Sequence, residues 1–442
     1  MSLSLHSLLN KYGVNPTLSG RYVWQKDKEA HGIEYPLPIR QEYLDLMKLV
    51  LGLHIIETDR LGDIATQLIL ETSFPDYFLP IIDQLQSLFL HLTDYRIELK
   101  VAPSRFKAKP KRLDEGSHYK KAILFSSGLD SLCGAIEFSK QYATALTHCQ
   151  TNQVVFHKAL ELSRMQQLNR SPLFCFNAMT KSTVGGMSNT RGLLFLSFAY
   201  SVVASLGMES VMFCENGSQM LDVMASSLVY PNKPATKNTN PVYIEAIERV
   251  LSSFGDKRIR IERPYQELTR SEIIAPLKNR IRFEQTFSCF TTRGKSAMCG
   301  ICYNCFIRRM SLLALDIKEN IRTYERHPFE LASIEEQSES YQSNLRILLH
   351  VLRHYAKILN EDLVTLDEVK LYARDYFKNP IDLATRSAKD VFLGVMRSLE
   401  TVEHAKLNQL GKKAKELLNK IDKSLLIDRS EELIRLSLIQ KT

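Results

Sequence analysis

At 442 residues the chain is too long for one ordinary hydrophobic core, so two or three domains are expected. Its 44% hydrophobic and 24% charged residues are those of a globular protein, and no run of ~18 apolar residues exists, which excludes a transmembrane helix. A formal net charge of +9 is compatible with nucleic acid, an acidic protein or phosphate ligands, yet the basic residues are scattered along helical patterns and no dense basic block marks a nucleic-acid tail. The opening stretch, MSLSLHSLLNKYG, has no basic n-region, long apolar core or cleavage site, so no signal peptide is read and a cytoplasmic location is expected.

Residues 1 to about 118 read as a small α+β domain. Short strands are expected at Arg21–Trp24 and Ile33–Leu37, helices at Gln41–Leu51 and Leu85–Leu92, and a half-buried strand where Asp94–Val101 alternates. No chemical motif lies here, and a structural or partner-binding role is expected. A basic, proline-containing connector from Pro103 to Arg112 reads as an interdomain linker.

From about 119 to 325, apolar runs alternate with helical patterns, which argues for βαβ units and a parallel sheet. The expected strands are Ala122–Phe125, Ala143–Thr147, Leu173–Phe176, Ser210–Cys214 and Arg258–Ile261; the clearest helices are Leu132–Ser139, Asn152–Leu168 and Thr190–Leu206. Ligands of such sheets bind beyond the carboxyl ends of the strands. That rule puts Ser126–Ser131, Asn177–Gly186 and Glu215-Asn216-Gly217 on one rim. The turn Ser126-Ser127-Gly128-Leu129-Asp130-Ser131, between a strand and a helix N-terminus, is a ready-made anion site; Asp130 could hold a metal ion beside a phosphate. The plainer reading is a strand-to-helix loop with Ser131 as N-cap.

Residues 289 to 309 read CFTTRGKSAMCGICYNCFIRR. Cys289, Cys299, Cys302 and Cys305 can close a tetrahedral zinc site, normally a structural one, and soft sulfur ligands also suit an iron–sulfur cluster. Cys133, Cys149, Cys175 and Cys214 stand alone in apolar surroundings and read as reduced core residues. From about 326 to 442, long amphipathic patterns such as Tyr341–Leu359, Thr365–Tyr376, Ala388–Ala405 and Leu407–Leu425 indicate a helical C-terminal domain.

Ser126, Gly128, Asp130 and Ser131 resemble the SGGxDS loop of the PP-loop ATP pyrophosphatases, with Ser127 where that family usually has glycine; a side chain there is costly if the position needs positive φ. With Cys289, Cys299-Gly300-Ile301-Cys302, Cys305 and Arg309, the constellation resembles the QueC family, which makes 7-cyano-7-deazaguanine; Thr269-Arg270-Ser271-Glu272, Thr286 and Ser288 look like the segment leading into its zinc site. The resemblance implies a Rossmann-like, adenine nucleotide hydrolase-like core. It implies ATP on Ser126–Ser131, Mg²⁺ near Asp130, Zn²⁺ on the four cysteines, and adenylation of a 7-carboxy-7-deazaguanine before an amine displaces AMP. Arg191 would neutralise phosphate or carboxylate charge, and Glu215 and Asn216 would meet a purine-like edge; their plainer readings are a helix-end arginine and an Asx turn. Asn238-Thr239-Asn240-Pro241 is better read as a helix-capping loop.

The flanking domains look like those of the QueC-like proteins of bacterial anti-phage operons, the Qat system above all, with the type IV CBASS homologues as near relatives. For those the expected acceptor is an amine of a partner protein from the same operon, with neither nucleic acid as direct substrate nor a membrane involved. The alternatives are a synthase using ammonia, a tRNA-modifying thiolase, and a nucleotide-sensing scaffold in which Ser127 marks lost turnover.

Overall fold

A computed structural model describes residues 2–12, 21–23, 39–104, 118–150, 153–168, 170–178, 188–224, 237–255, 258–289, 297–330 and 338–428, with only the backbone at 21–23, 150, 177, 321 and 340. Trp24, the strand expected at Ile33–Leu37, most of the 103–112 connector and the rim segment from residue 179 to 187 lie outside these residues. The chain divides into two compact units. The first comprises Met1–Ser126, Gly134–Cys214 and Thr236–Pro264; the second comprises Ser127–Cys133, Glu215–Ala235 and Tyr265–Thr442. These units cut across the expected three-part division at residues 118 and 325.

The first unit holds β1 (Ser2–Ser4), α1 (Leu5–Lys11), β2 (Arg21–Val23), α2 (Gln41–Thr58), β3 (Gln67–Thr72), α3 (Pro75–Phe78), α4 (Ile82–Thr93) and β4 (Glu98–Pro103). It continues through β5 (Lys121–Leu124), most of α5 (Leu129–Gln141), β6 (Thr144–Gln150), α6 (Gln153–Ser163), β7 (Leu173–Asn177), α7 (Arg191–Leu206) and β8 (Ser210–Met212). After α8 (Gly217–Met224), which belongs to the second unit, come α9 (Pro241–Ser252) and β9 (Arg260–Glu262). The strands form a three-stranded parallel sheet, β1-β3-β4, and a six-stranded sheet, β2-β7-β6-β5-β8-β9. The larger sheet is parallel throughout except at β2, which runs antiparallel to β7.

The expected β5–β9 strands are all present, because strands covered on both faces read as continuous apolar runs: Ala122, Ile123, Leu146 and Val211 are fully buried. The order runs out from β5 to β7 and then returns to β8 and β9 on the other side. β5 is therefore the switch point, and the loops after β5 and β8 occupy the position where open α/β sheets take their ligands.

The N-terminal segment is no separate piece. α7 is buried almost all round because it packs on β5, β6 and β8 and against α2, which in turn touches β3 of the small sheet. The ring of Phe254, just beyond α9, packs on Tyr43 of α2 (5.4 Å) and Phe78 of α3 (5.0 Å), filling the same layer. The third departure is β2, expected in the N-terminal domain but hydrogen-bonded to the edge of the larger sheet.

The second unit contains α8, α10 (Arg270–Ile274), α11 (Tyr303–Ala314), α12 (Glu339–Leu359), α13 (Leu363–Ala373), α14 (Pro380–Glu400) and α15 (Gln409–Asn419). The helices expected after residue 326 are present, but they share their core with the cysteine segment. α14 lies along α11 and also packs on α8, α12, α13 and α15. Arg397 Nη1 donates to the last carbonyls of α11, Leu313 (2.7 Å) and Ala314 (2.9 Å), placing a cation at that helix's negative end. Gly394 permits the close approach, since a Cβ there would collide with the Met310 carbonyl oxygen. Gly394→Ala is expected to lower stability by about 1–3 kcal/mol through overpacking; an unchanged thermal midpoint would show that the two helices are not in such contact.

Candidate functional site

β5 delivers the chain into the loop. Phe125 N–H still donates to Thr147 O at 2.8 Å, after which Ser126 is exposed and Ser127 turns the backbone into the left-handed region at φ 62°. Serine stands there where glycine would adopt the same conformation more cheaply. Ser127 is 0% exposed, its carbonyl accepts from Phe287 N–H at 2.9 Å, and its hydroxyl has no hydrogen-bond partner among the described residues. α5 then begins at Leu129, earlier than the apolar spacing indicated. Ser131 lies inside the first turn rather than at the N-cap, and its hydroxyl donates to Gly128 O at 3.0 Å.

Asp130, in that first turn, is the centre of a buried cluster within the second unit. Arg270 grips its carboxylate with two parallel bonds, Nε to Oδ1 at 3.0 Å and Nη2 to Oδ2 at 3.1 Å, and Asn216 Nδ2 adds a third at 2.6 Å to Oδ2. Burial works against the charge of Asp130, but Arg270 outweighs it and holds the carboxyl below its usual range. Glu215 Oε1 is 3.9 Å from Arg270 Nη2. Burial first, and then repulsion from Asp130, push Glu215 well above the usual carboxylate range.

Both Asp130 oxygens carry N–H donors, two from Arg270 and one from Asn216. Asn216 is 0% exposed; its amide goes to Asp130, and its carbonyl caps α8 by accepting from Gln219 N–H at 2.8 Å. The capping bond is of the Asx type, and Asn216 Nδ2 also lies 3.4 Å from Glu215 Oε1. Gly217 follows because its Cβ would strike the Gln266 carbonyl oxygen.

Arg270 itself is held from the C-terminal helices. Thr269 and Glu272 form a capping box at the start of α10; Thr269 Oγ1 donates to Asp390 of α14 at 2.6 Å, and Glu272 is ion-paired with Arg386 of α14.

The four cysteines converge. Their sulfurs all lie within 4.8 Å of one another, with Cys289–Cys302 at 4.0 Å and Cys299–Cys305 at 3.9 Å. Ligands about 2.3 Å from one tetrahedral zinc ion would be about 3.8 Å apart. A four-iron cluster binds each cysteine to a different iron and spreads the sulfurs more widely, so zinc fits and a cluster does not. Gly300, at φ 79° and against the Arg326 carbonyl, makes the knuckle possible. Arg308 anchors it: 0% exposed, it donates to Glu319 (2.6 Å), to Phe283 O (2.6 Å) and to Thr286 Oγ1, so the segment entering Cys289 is tied to α11. The neighbouring Arg309, singled out by resemblance, instead lies over the Tyr324 ring.

Tyr303, between two of the cysteines, and Tyr355 of α12 both donate to buried Asp222 of α8, the latter at 2.7 Å. Burial pushes Asp222 up to about 6 despite these bonds.

Arg191 belongs to the first unit. It opens α7, whose N-terminal end is capped by Glu57 of α2: the carboxylate accepts Asn189 N–H (2.7 Å), Thr190 N–H (3.0 Å) and the Ser188 and Thr190 hydroxyls. Burial weighs against the charge of Arg191, and Glu57 is the anion that offsets it. In the same unit Asn238 accepts from Gly192 N–H at 2.7 Å, and Asn240 caps α9, as the capping-loop reading expects.

Residues 135–316 match the family model described as QueC, queuosine biosynthesis protein QueC. The chain therefore carries a QueC-like domain; the matched stretch includes Arg191, Glu215, Asn216, Arg270 and the four cysteines, and starts after the Ser126–Ser131 loop. No curated protein matches the chain. No solved structure matches it either.

Two outcomes test this geometry. Ser127→Gly relieves a left-handed side chain and removes an unpartnered buried hydroxyl, so unfolding free energy should rise by roughly 1 kcal/mol; a fall would place the strain elsewhere. Metal analysis of the purified chain should find one zinc per chain, and Cys302→Ser should lose the metal together with several kcal/mol of stability, about 3 or more. Retention of full thermal stability after the metal is stripped would remove the structural role.

Proposed function

We propose that the chain is an ATP-dependent ligase of the QueC-like type. It activates the carboxylate of a 7-carboxy-7-deazaguanine-type substrate as an adenylate and transfers the acyl group to an amine. The observation that carries this reading is the QueC match over residues 135–316, on a segment that follows an SGGxDS-like loop and holds a zinc-compatible four-cysteine site.

The substrate carboxylate oxygen attacks the α-phosphorus of ATP; the bond to the β-phosphate oxygen breaks and pyrophosphate leaves. The amine then attacks the acyl carbon, AMP departs, and the nitrogen loses its proton. Protein groups contribute positioning and charge stabilisation. Ser126, Gly128, Leu129 and Ser131, at the N-terminal end of α5, would receive the phosphates, which arrive with Mg²⁺. Arg191 would offset phosphate or carboxylate charge. Glu215 would meet a purine-like edge through its carboxyl group. Zinc would stay structural, holding the segment from Phe283 to Arg308, with no position open to substrate.

The acceptor is the finer part of the proposal. The segments on either side of the matched residues support a partner protein's amine, as in QatC of the Qat anti-phage system, over free ammonia. Ser127 adopts the backbone angle that glycine would supply, which supports the ligase over the scaffold reading.

AMP release from ATP with 7-carboxy-7-deazaguanine is the test, with ammonia and a candidate partner protein supplied separately and the intact masses followed. AMP only with the partner, and a partner mass raised by the acyl deazaguanine, is the expected result. AMP with ammonia and a free nitrile would replace the protein acceptor by a synthase activity. Bound ATP with no AMP in any mixture would overturn the ligase.

A further inference from the structure

Two buried polar atoms near the start of α5 have no partner among the described residues. One is Nη1 of Arg270, whose side chain is 8% exposed and whose other nitrogens are committed: Nε and Nη2 to Asp130, and Nη2 also to Gln219 Oε1 at 2.7 Å. The other is the hydroxyl of Ser127, in a residue that is 0% exposed and stands two positions before the helix. A buried guanidinium nitrogen cannot lose its protons, so its N–H groups call for an acceptor that the described residues do not supply. Asp130, the second residue of this 13-residue helix, fixes Arg270 against its first turn, where the helix dipole also favours an anion.

We propose that Arg270 Nη1 is the charged donor for a phosphoryl oxygen bound at the N-terminus of α5, with Asp130 serving to aim the guanidinium and Ser127 Oγ as a second donor. The ligand class is a polyphosphate: the phosphates of a nucleoside triphosphate, or pyrophosphate. This inference deepens the proposed function and rests on it for the nucleotide. The clamp is suited to the task. A guanidinium held by two bonds to one carboxylate keeps a fixed plane, so the remaining nitrogen points in one direction without a loss of side-chain freedom on binding. Glu215, the other acid near Arg270, is pushed toward its neutral form by burial and by Asp130, which lessens the negative charge facing a polyanion.

Calorimetric titration of the full chain with ATP, metal-free pyrophosphate and adenosine separates the possibilities. Arg270→Lys keeps a cation for Asp130 but lacks the third nitrogen; it should weaken ATP and pyrophosphate about 10- to 100-fold and leave adenosine unaffected. Asp130→Asn removes the clamp's charge, so metal-free pyrophosphate should bind at least as tightly as to the parent. Loss of that binding, or a lost dependence on Mg²⁺ of ATP affinity, would make Asp130 a metal ligand and overturn the assignment. Because Arg270→Lys could leave Asp130 poorly paired and unfold the chain, the double variant Arg270→Met/Asp130→Asn removes both charges together; it should fold and bind adenosine but not pyrophosphate. Unchanged polyphosphate affinity in either Arg270 variant would sink the inference while leaving an ATP enzyme intact. A parent chain that binds neither ATP nor pyrophosphate would end both.

Discussion

The buried pair of Arg270 and Asp130 is the constraint around which the second unit is arranged. Two charges removed from water are tolerable only when geometry and further hydrogen bonds compensate, and removal of one partner strands the other. Here the compensation is nearly complete on the acid, which takes three N–H donors, and incomplete on the base, which keeps one nitrogen without an acceptor among the described residues. Much of the surrounding structure serves this pair. Asn216 crosses to Asp130 from the start of α8, and Gln219 one turn further on receives Arg270 Nη2. Asp390 and Arg386 of α14 fix the residues on either side of Arg270 in the short helix that begins with it.

The metal centre and the tyrosine–aspartate cluster extend the same scaffold. Arg308 and Glu319 join the entry to Cys289 with α11, and Phe287 in that entry donates to the carbonyl of Ser127. Tyr303 leaves the cysteine knuckle to reach Asp222, and Tyr355 reaches the same carboxylate from α12. Four ligands closed on one ion give a short, otherwise loop-rich segment the rigidity that apolar packing alone would not. The four-cysteine segment is thereby connected, through named bonds, to the loop backbone and to α8.

What could be read from the sequence follows a physical line. Strands buried on both faces and long amphipathic helices write themselves as local patterns, so β5 to β9 and α12 to α15 were legible, as was the cysteine spacing. Long-range polar pairs leave no such trace. Arg270 is 140 residues from Asp130, Asp222 is 133 from Tyr355, and Glu57 is 133 from the Thr190 it caps. Arg308 and Arg309 are indistinguishable in composition; their position on α11 decides that one is enclosed and the other stacks on Tyr324. The three-part division and the two compact units differ for the same reason: boundaries inferred from changes of pattern ignore which helices share a core. α2 belongs with α7 and the large sheet, and α14 with the cysteine segment.

Ser127 shows why one departure from a familiar motif need not disable it. A left-handed, non-glycine residue persists only where its surroundings over-determine it, and here burial and the Phe287 bond do so. Glycine would take the same φ with less strain, but it has no side chain. The serine brings a hydroxyl into the same enclosed position, beside a helix start that already collects donors. Strain that contributes nothing would be readily removed by a single substitution, since stabilising changes are common and accessible. Backbone conformation and unpartnered hydroxyl are therefore best understood together: the loop keeps the shape that glycine would give it and gains a donor that glycine cannot provide.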